Sequence, residues 1–371
     1  MPRLTTAEVP ARTDVQFAFS PVLDMMNAMY FTRLVIDSEG MEGWPVELRE
    51  KMSPDLLAEL DYLFWYPNGA GIMGQLTDML FAHPGAWGSI DRLIAFIREL
   101  PAGIGSSEQD AGIQGLAYYL ACVRSEPEPP LSDDPREALR LKITADEVDD
   151  VDTVMALWDN PEELRERMVR LVERFYEQHY LDELPRRRAA LERSVAAHRG
   201  ISRDEAMAFI HKVSGRDNIC LEDVCAADYE HLLFAPSMDM GPYMSCSVLD
   251  GPRLYHAMFY PCEPEFIGEG AVRSADVQRT ARLYKALSDE QRLRMLHMLR
   301  DREMYAQEIV EQTGLHQSVV SRHLMLLRAV GLLNARKQNN MKFFSLNPNI
   351  RRELSETLDL FTGAAKGREE S

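Results

Sequence analysis

The sequence predicts a mainly α-helical chain with small β elements, and three observations predict it. Apolar residues recur at helical spacing through 20–124, 144–199, 276–330 and 348–361. Around 243–260 the spacing shortens to alternation on either side of Asp250-Gly251, the mark of a β-hairpin. Near the end, two short amphipathic stretches flank Gly314, and a second alternating run over 332–346 follows them. The outline is a helical N-terminal domain with a β-hairpin near 243–260, then a C-terminal winged helix-turn-helix.

Residues 1–15 read as a flexible N-terminus. Val22, Met25, Met26, Met29, Leu34 and Ile36 suit one buried helix. Ser53-Pro54-Asp55 opens another: a cap residue, proline in the first turn, then Leu56, Leu57, Leu60 and Leu63. Trp87 to Leu100 forms a third, stopped by Pro101, and Gln109 to Arg124 a fourth. The proline-rich, acidic run 126–135 is a linker or long surface loop, the place where the domain over 16–270 would divide. From Thr144 to about Arg199 the chain is helical and highly charged. Thr144-x-x-Glu147 and Ser202-x-x-Glu205 read as capping boxes. Tyr243 to Leu249 and Arg253 to Tyr260 are the strands of the hairpin, and 263–274 is a short connector.

The C-terminal module spans 275–361 and follows a clear order. Asp276 to Leu287 is a helix. Ser288 is expected to cap the next, with Gln291 three residues on and Leu293, Leu296 and Leu299 as its buried stripe. Tyr305 to Thr313 and Gln317 to Val330 are the paired helices, and Gly331 ends the second. Val319, Leu324, Leu326 and Leu327 form its core side. Leu332 to Leu346 makes a two-stranded wing with Gln338-Asn339-Asn340 at its tip. Asn347-Pro348 opens a last helix with Ile350, Leu354, Leu358 and Phe361 on one stripe, and 362–371 is a flexible tail.

Charge is distributed to match. The formal net charge is −18, which by itself argues against a nucleic-acid partner. Yet 271–350 holds 13 Lys/Arg against 7 Asp/Glu, whereas 1–270 holds 24 against 47. From Leu315 to Leu346 there are 5 basic residues and no acidic one. Phosphates should attract the module and be repelled by the body, so docking through one face is favoured.

Gln317, Ser318, Ser321 and Arg322 occupy the first turns of the second paired helix. Gln can bond adenine and Arg guanine in bidentate fashion, and Ser is permissive. Arg322 can instead take a phosphate, which positions the helix without reading sequence. A merely solvated face would normally include acids. His316, before this helix, is within reach of a phosphate; His323 packs or touches one. Arg336, Lys337 and Lys342 of the wing are candidates for backbone or minor-groove contact, the alternative being solubilising charges on an edge hairpin.

Lys285-Ala-Leu-Ser-Asp-Glu-Gln-Arg-Leu-Arg-Met-Leu296, Ser318-Val-Val-Ser-Arg-His-Leu324 and Val330-Gly-Leu332 resemble, at their mutual spacing, the ArsR-type winged-helix repressors. The preceding region resembles, less closely, the extra N-terminal domain of longer members, whose role is not established. The resemblance implies a homodimer joined through the first and last helices of the module, so that Ile350, Leu354, Leu358 and Phe361 would serve dimerisation. It implies double-stranded DNA with an inverted-repeat operator as the partner. His316 departs from the family, which usually has Ser or Thr there, and caps less well. Many relatives sense soft metals through paired cysteines before the turn; the matching stretch here, 303–308, has none. Others use acidic and histidine ligands on the last helix, and 348–361 has no histidine. No metal and no cofactor are expected.

Elsewhere the sequence mainly excludes. Cys122, Cys220, Cys225, Cys246 and Cys262 are too few and scattered for a disulfide framework, and Cys-x4-Cys is not a common zinc spacing. Gly69-Ala-Gly71-Ile-Met-Gly74 fits a dinucleotide-binding pattern, with Asp91 downstream. It follows a helical run rather than a strand, so a glycine-rich turn between helices is preferred. No Ser/His/Asp signature, Walker loop or H-E-x-x-H is present, and no catalytic residue is expected. The N-terminus lacks the apolar core of a signal peptide and no run is long enough for a membrane helix, so a cytoplasmic protein is expected. The resulting expectation is a DNA-binding transcriptional regulator, a repressor, with residues 16–270 as a sensor or dimerisation domain and a small-molecule effector as a candidate partner. An enzyme with an appended helix-turn-helix, or a recruitment domain without ligand, is the alternative.

Overall fold

The structure, a computed structural model, describes residues 15–35, 44–64, 71–123, 132–145, 151–202, 205–206, 208–209, 231–240, 245–249, 255–267, 277, 280–338 and 341–362. They are mostly helical, with small sheets. They fall into two units, one within Met1–Asp37, Met41–Ala206 and Asp228–Phe266, the other chiefly within Ile267–Ser371.

The first unit is built round α1 (Pro21–Leu34). Ser20 caps it by accepting from the Leu23 N–H at 3.1 Å, Pro21 sets its first turn, and every residue from Pro21 to Met29 is buried. A helix buried on all sides needs neighbours on all sides. Those packed on it include α2 (Trp44–Lys51), α3 (Pro54–Leu63), α4 (Gly71–Leu80) and α5 (Ile90–Glu99); the helical part of the unit continues with α6 (Ile113–Val123), α7 (Pro135–Ala145), α8 (Val151–Asp159), α9 (Pro161–Phe175), a π turn over Tyr176–Tyr180 and α10 (Leu184–His198). Much of this core, including Met25, Leu60, Leu76, Leu93, Met168 and Phe175, is fully buried.

A four-stranded sheet in the order β1-β2-β4-β3 completes the unit: β1 (Val15–Phe17), β2 (His231–Ser237), β3 (Ser245–Leu249) and β4 (Tyr255–Pro261). The expected hairpin is present, with β3 antiparallel to β4 and Leu249 opposite Tyr255. Its Asp250-Gly251 turn lies outside the described residues. The sequence reading missed that β2 runs parallel to both β1 and β4. A short α11 (Pro264–Ile267) follows β4.

Local expectations are corrected at four places here. The strand at Val15 replaces a flexible segment ending there. The third helix begins at Ile90, not Trp87, because Ser89 caps it by accepting from the Arg92 N–H. The fourth begins at Ile113, since Gln109 and Asp110 form a turn closed by the Gly105–Ala111 bridge. Thr144 is not a cap: it lies in the last turn of α7, and its hydroxyl donates back to the Arg140 carbonyl at 2.7 Å. Ser53 sits at a cap position but makes no cap bond. The Ser202–Glu205 box is formed in both directions. Of the dinucleotide-like glycines, Gly69 lies outside the described residues, and Gly71 opens α4 with Gly74 one turn on, after α3 rather than a strand. Gly71 has φ +51°, and a Cβ there would lie 2.4 Å from the Leu63 carbonyl oxygen, so close approach of a turn explains it.

Two polar centres lie within this unit. Arg187, fully buried, holds Asp239 with bonds of 2.7 and 2.9 Å and Asp24 with longer ones of 3.2 and 3.4 Å. The Tyr180 hydroxyl donates to Asp24 at 2.5 Å, and the Trp44 ring lies 4.3 Å from the guanidinium. Burial raises the Asp24 carboxyl above its ordinary range against the pull of Arg187, and Asp239 adds to the rise. Burial also raises Tyr180, which keeps its proton. Beside β4, Glu263 accepts from Ser194 at 2.9 Å and meets His198 Nε2 at 2.5 Å, while the Tyr260 hydroxyl lies 2.9 Å from Ser194. Ser194 and His198 both point at the carboxylate, so this is no nucleophile–base relay. Cys262 next to it is buried, which pushes its thiol up to about 12.

The second unit comprises α12 (280–287), α13 (Glu290–Met298), α14 (Ala306–Thr313), α15 (Gln317–Ala329) and α16 (Ile350–Thr362). Its sheet has the order β5-β7-β6, with β5 (Met304–Tyr305), β6 (Leu333–Gln338) and β7 (Met341–Leu346) all antiparallel. The wing is therefore three-stranded; two residues at β5 were too few to show alternation. Asp289, not Ser288, caps α13, accepting from the Arg292 N–H at 2.9 Å. Of the expected stripe, Leu299 is buried and Leu296 packs half-buried against the core, but Leu293 is 47% exposed; Arg292 and Met295 complete the buried face. On α15 the buried valine is Val320, with Leu324, Leu326 and Leu327; Val319 is half-buried.

Candidate nucleic-acid interface

Gly314 makes the turn between α14 and α15. It lies at φ +66°, in the left-handed region, and its N–H bonds the Val310 carbonyl at 2.9 Å. A second glycine, Gly331 at φ +84°, ends α15 and releases the chain into β6. Between them α15 is fastened by Val320, Leu324 and Leu327, all essentially without exposure, against Met295, Ile309 and Leu333 of the same core.

Burial of that stripe leaves the opposite face outward. Gln317, Ser321 and Arg322 are exposed. Ser318 is on the helix, but its side chain lies outside the described set. His316 is exposed and occupies the cap position, where its carbonyl accepts from Val319 and Val320 at 3.0 and 3.1 Å. His323 is half-buried, and its charge helps to hold Asp289 at the start of α13 below the usual carboxylate range, after the Arg292 N–H and the Arg292 charge. That places its influence on the scaffold side of the helix. The sequence reading passed over Met325, 44% exposed and one turn beyond Ser321 and Arg322. An apolar residue in a polar stretch reads as core, and only the turn of the helix shows otherwise.

In the wing the backbone register sets Lys337 opposite Lys342 and Arg336 opposite Phe343, with Gln338 and Met341 as the last rung. Asn339 and Asn340 lie outside the described residues. Of the stripe on α16, Ile350 and Leu354 are half-buried against the module's own core, and Leu358 is 52% exposed; the Phe361 side chain is not described. Val277 and Tyr284, on and just before α12, are also exposed. Among the described residues no group of three or more His, Cys, Asp or Glu side chains could hold a metal ion, and no helix is long and apolar enough to cross a membrane.

The family model "Bacterial regulatory protein, arsR family" matches residues 289–335, from the α13 cap into β6. The transcriptional activator HlyU of Vibrio cholerae is 38% identical over 76 residues, 20% of this chain and 70% of that protein. An uncharacterized HTH-type transcriptional regulator of Bacillus subtilis, YceK, is 34% identical over 77 residues, 20% of this chain and 77% of its own length. The solved structure of HlyU from Vibrio cholerae shows 33% identity over 24% of this chain and 96% of that one, with a TM-score of 0.20. On the strength of a matched segment that carries the glycine turn, the buried stripe and the outward polar face of α15, this chain belongs to the arsR family of bacterial regulatory proteins and is a DNA-binding transcriptional regulator.

Proposed function

We propose that the protein is a homodimeric cytoplasmic repressor that reads an inverted-repeat operator. The observation that carries this reading is the outward face of α15, where Gln317, Ser321 and Arg322 stand exposed on a helix whose other side is locked in the core. Each α15 enters a major groove, with Gln317 and Arg322 bonding base edges, Ser318 and Ser321 allowing close approach, and Met325 against a thymine methyl. His316 and the wing residues Arg336, Lys337 and Lys342 take phosphates. His323 contributes from behind, through Asp289. Leu358 and Phe361, with Val277 and Tyr284, supply the apolar dimer surface, while Ile350 and Leu354 anchor α16 to its own module.

The N-terminal unit receives the signal, a small molecule being the candidate, and biases the module between DNA-competent and incompetent states. Its acidic composition keeps phosphates off the body. The test is a gel shift with the protein's own upstream DNA at moderate salt, alone and with cell extract. Sequence-preferring binding that collapses in Arg322→Ala supports the reading; no preference under either condition removes it.

A further inference from the structure

Two buried polar side chains in the second unit fix corners of the module, one between α12 and α13 and one between α15 and α16. Arg292, 3% exposed, reaches back from α13 to the end of α12: Nε donates to the Ala286 carbonyl at 2.7 Å and Nη2 to the Lys285 carbonyl at 2.9 Å. The last carbonyls of a helix have no partner within it, and a cation at that end is favoured by the helix dipole. Only Ser288 and Asp289 separate α12 from α13. The guanidinium therefore closes a two-residue corner into one rigid angle.

Asn347 does the same at the other end. It is 5% exposed, and its side-chain amide donates to the Gly331 carbonyl at 2.8 Å, at the exit of α15. Its backbone N–H bonds the Leu332 carbonyl at 3.0 Å. Its Oδ1 accepts from the Asn349 N–H at 2.9 Å and so starts the turn into α16. One side chain thus pins the end of the wing, the end of the recognition helix and the start of the last helix to each other.

We propose that Arg292 and Asn347 are positioning residues that set the distance between the two recognition helices of the dimer, and thereby the half-site spacing that the protein accepts. The inference rests on the reading above, in which α12 and α16 form the dimer platform. In such a dimer the recognition helices are related only through the platform, so each protomer's angle between platform and head is doubled at the DNA. Half-sites lie about 34 Å apart, and one added base pair moves a groove by about 3.4 Å and turns it by a tenth of a circle. A fixed angle rejects that displacement; a loose one follows it. Neither residue touches DNA in this account. Losing one should flatten the spacing preference rather than lower affinity for a single half-site.

The experiment uses the full chain and a duplex series carrying two half-sites from its own upstream DNA, with the spacer varied by up to two base pairs each way, plus a duplex with a single half-site. Asn347→Asp is the sharper variant. It keeps the acceptor for the Asn349 N–H and replaces the donor to Gly331 with a second oxygen. Arg292→Lys keeps the charge and can serve only one carbonyl at a time with good geometry. Wild type should lose about tenfold or more in affinity one base pair from its optimum, the size of a poorly accommodated site. In both variants that loss should shrink to about threefold or less, while single half-site binding stays within about twofold. Lys342→Ala provides the contrast: it should lower every point of the profile alike, because a lost phosphate contact is blind to spacing. A folded, dimeric Asn347→Asp whose spacing profile overlays the wild type overturns the inference, and should that variant not fold, Arg292→Lys decides. Wild type that binds every spacing equally overturns the inverted-repeat reading itself, and the inference with it.

Discussion

Each unit buries an arginine, and the two are neutralised in opposite ways. In the N-terminal unit Arg187 has no exposure and faces two carboxylates, Asp24 and Asp239. In the C-terminal unit Arg292 is satisfied by carbonyls at the end of α12, with the Asp289 carboxylate at its own backbone. The first arrangement holds one carboxylate more than its cation can balance. The surplus is met by Asp24 being driven toward its protonated form, with Tyr180 donating to it. The second uses partial charges that are fixed by the backbone and cannot titrate. The difference separates a centre in which a cation is shared between two titratable carboxylates from a joint in which the cation is held by backbone carbonyls.

The largest test of this contrast is Arg187→Met. It strands two carboxylates in the core, and the N-terminal unit should lose about 3–5 kcal/mol of stability. All four tryptophans precede residue 160, so fluorescence-monitored denaturation reports on that unit. Specific DNA binding should survive at temperatures where the unit remains folded. Next in size, Arg322→Ala should weaken operator binding by about 1–3 kcal/mol in a titration of the specific duplex, with little change in melting. Removing the α13 cap by Asp289→Ala should cost about 1 kcal/mol of module stability, read from a thermal melt of the far-ultraviolet signal.

The smallest effect is also the most discriminating, because the two aspartates should give opposite pH dependence. Asp24 has a raised carboxyl in the folded state, so its contribution is fully present below the unfolded value near 3.8 and is lost as pH rises through its folded value. Asp289 is lowered, so its contribution is present above the unfolded value near 3.8 and is lost as pH falls through its folded value. Fluorescence melts at rising pH should show that Asp24 contributes a component that weakens the N-terminal unit, and Asp24→Asn should remove that component of the slope. An unchanged slope in the variant would break the contrast.

How much of this was legible depended on whether a residue's partner lay close in the sequence. The turn at Gly314, the outward Gln317, Ser321 and Arg322 and the wing strands were readable because helix period, turn glycine and alternation are local signals. The parallel pairing of Val15 with Leu232 was not, since a three-residue strand has no period and its partner lies more than half the chain away. Ser288 and Asp289 are adjacent residues of equal capping ability, and on the helix that follows an arginine is buried where a leucine is exposed, which an apolar pattern cannot signal. Thr144 satisfied a capping pattern from inside a helix, where its hydroxyl bonds a carbonyl instead. Arg187 was hidden by its neighbours, because Arg186-Arg187-Arg188 reads as a solvated run and only the first and third remain outside.

The π turn between α9 and α10 gives that buried arginine its setting. Over Tyr176–Tyr180 the chain spends one residue more than an α-helix would, and the Leu181 N–H bonds back five residues to the Tyr176 carbonyl at 2.9 Å. Each helical residue advances the side chains by about 100°. Wound as α-helix instead, the same residues would carry everything downstream about a quarter-turn round its axis, and Arg187 would leave Asp24 for another face. The polar centre therefore depends on how the backbone is wound at this turn as much as on which residues follow it.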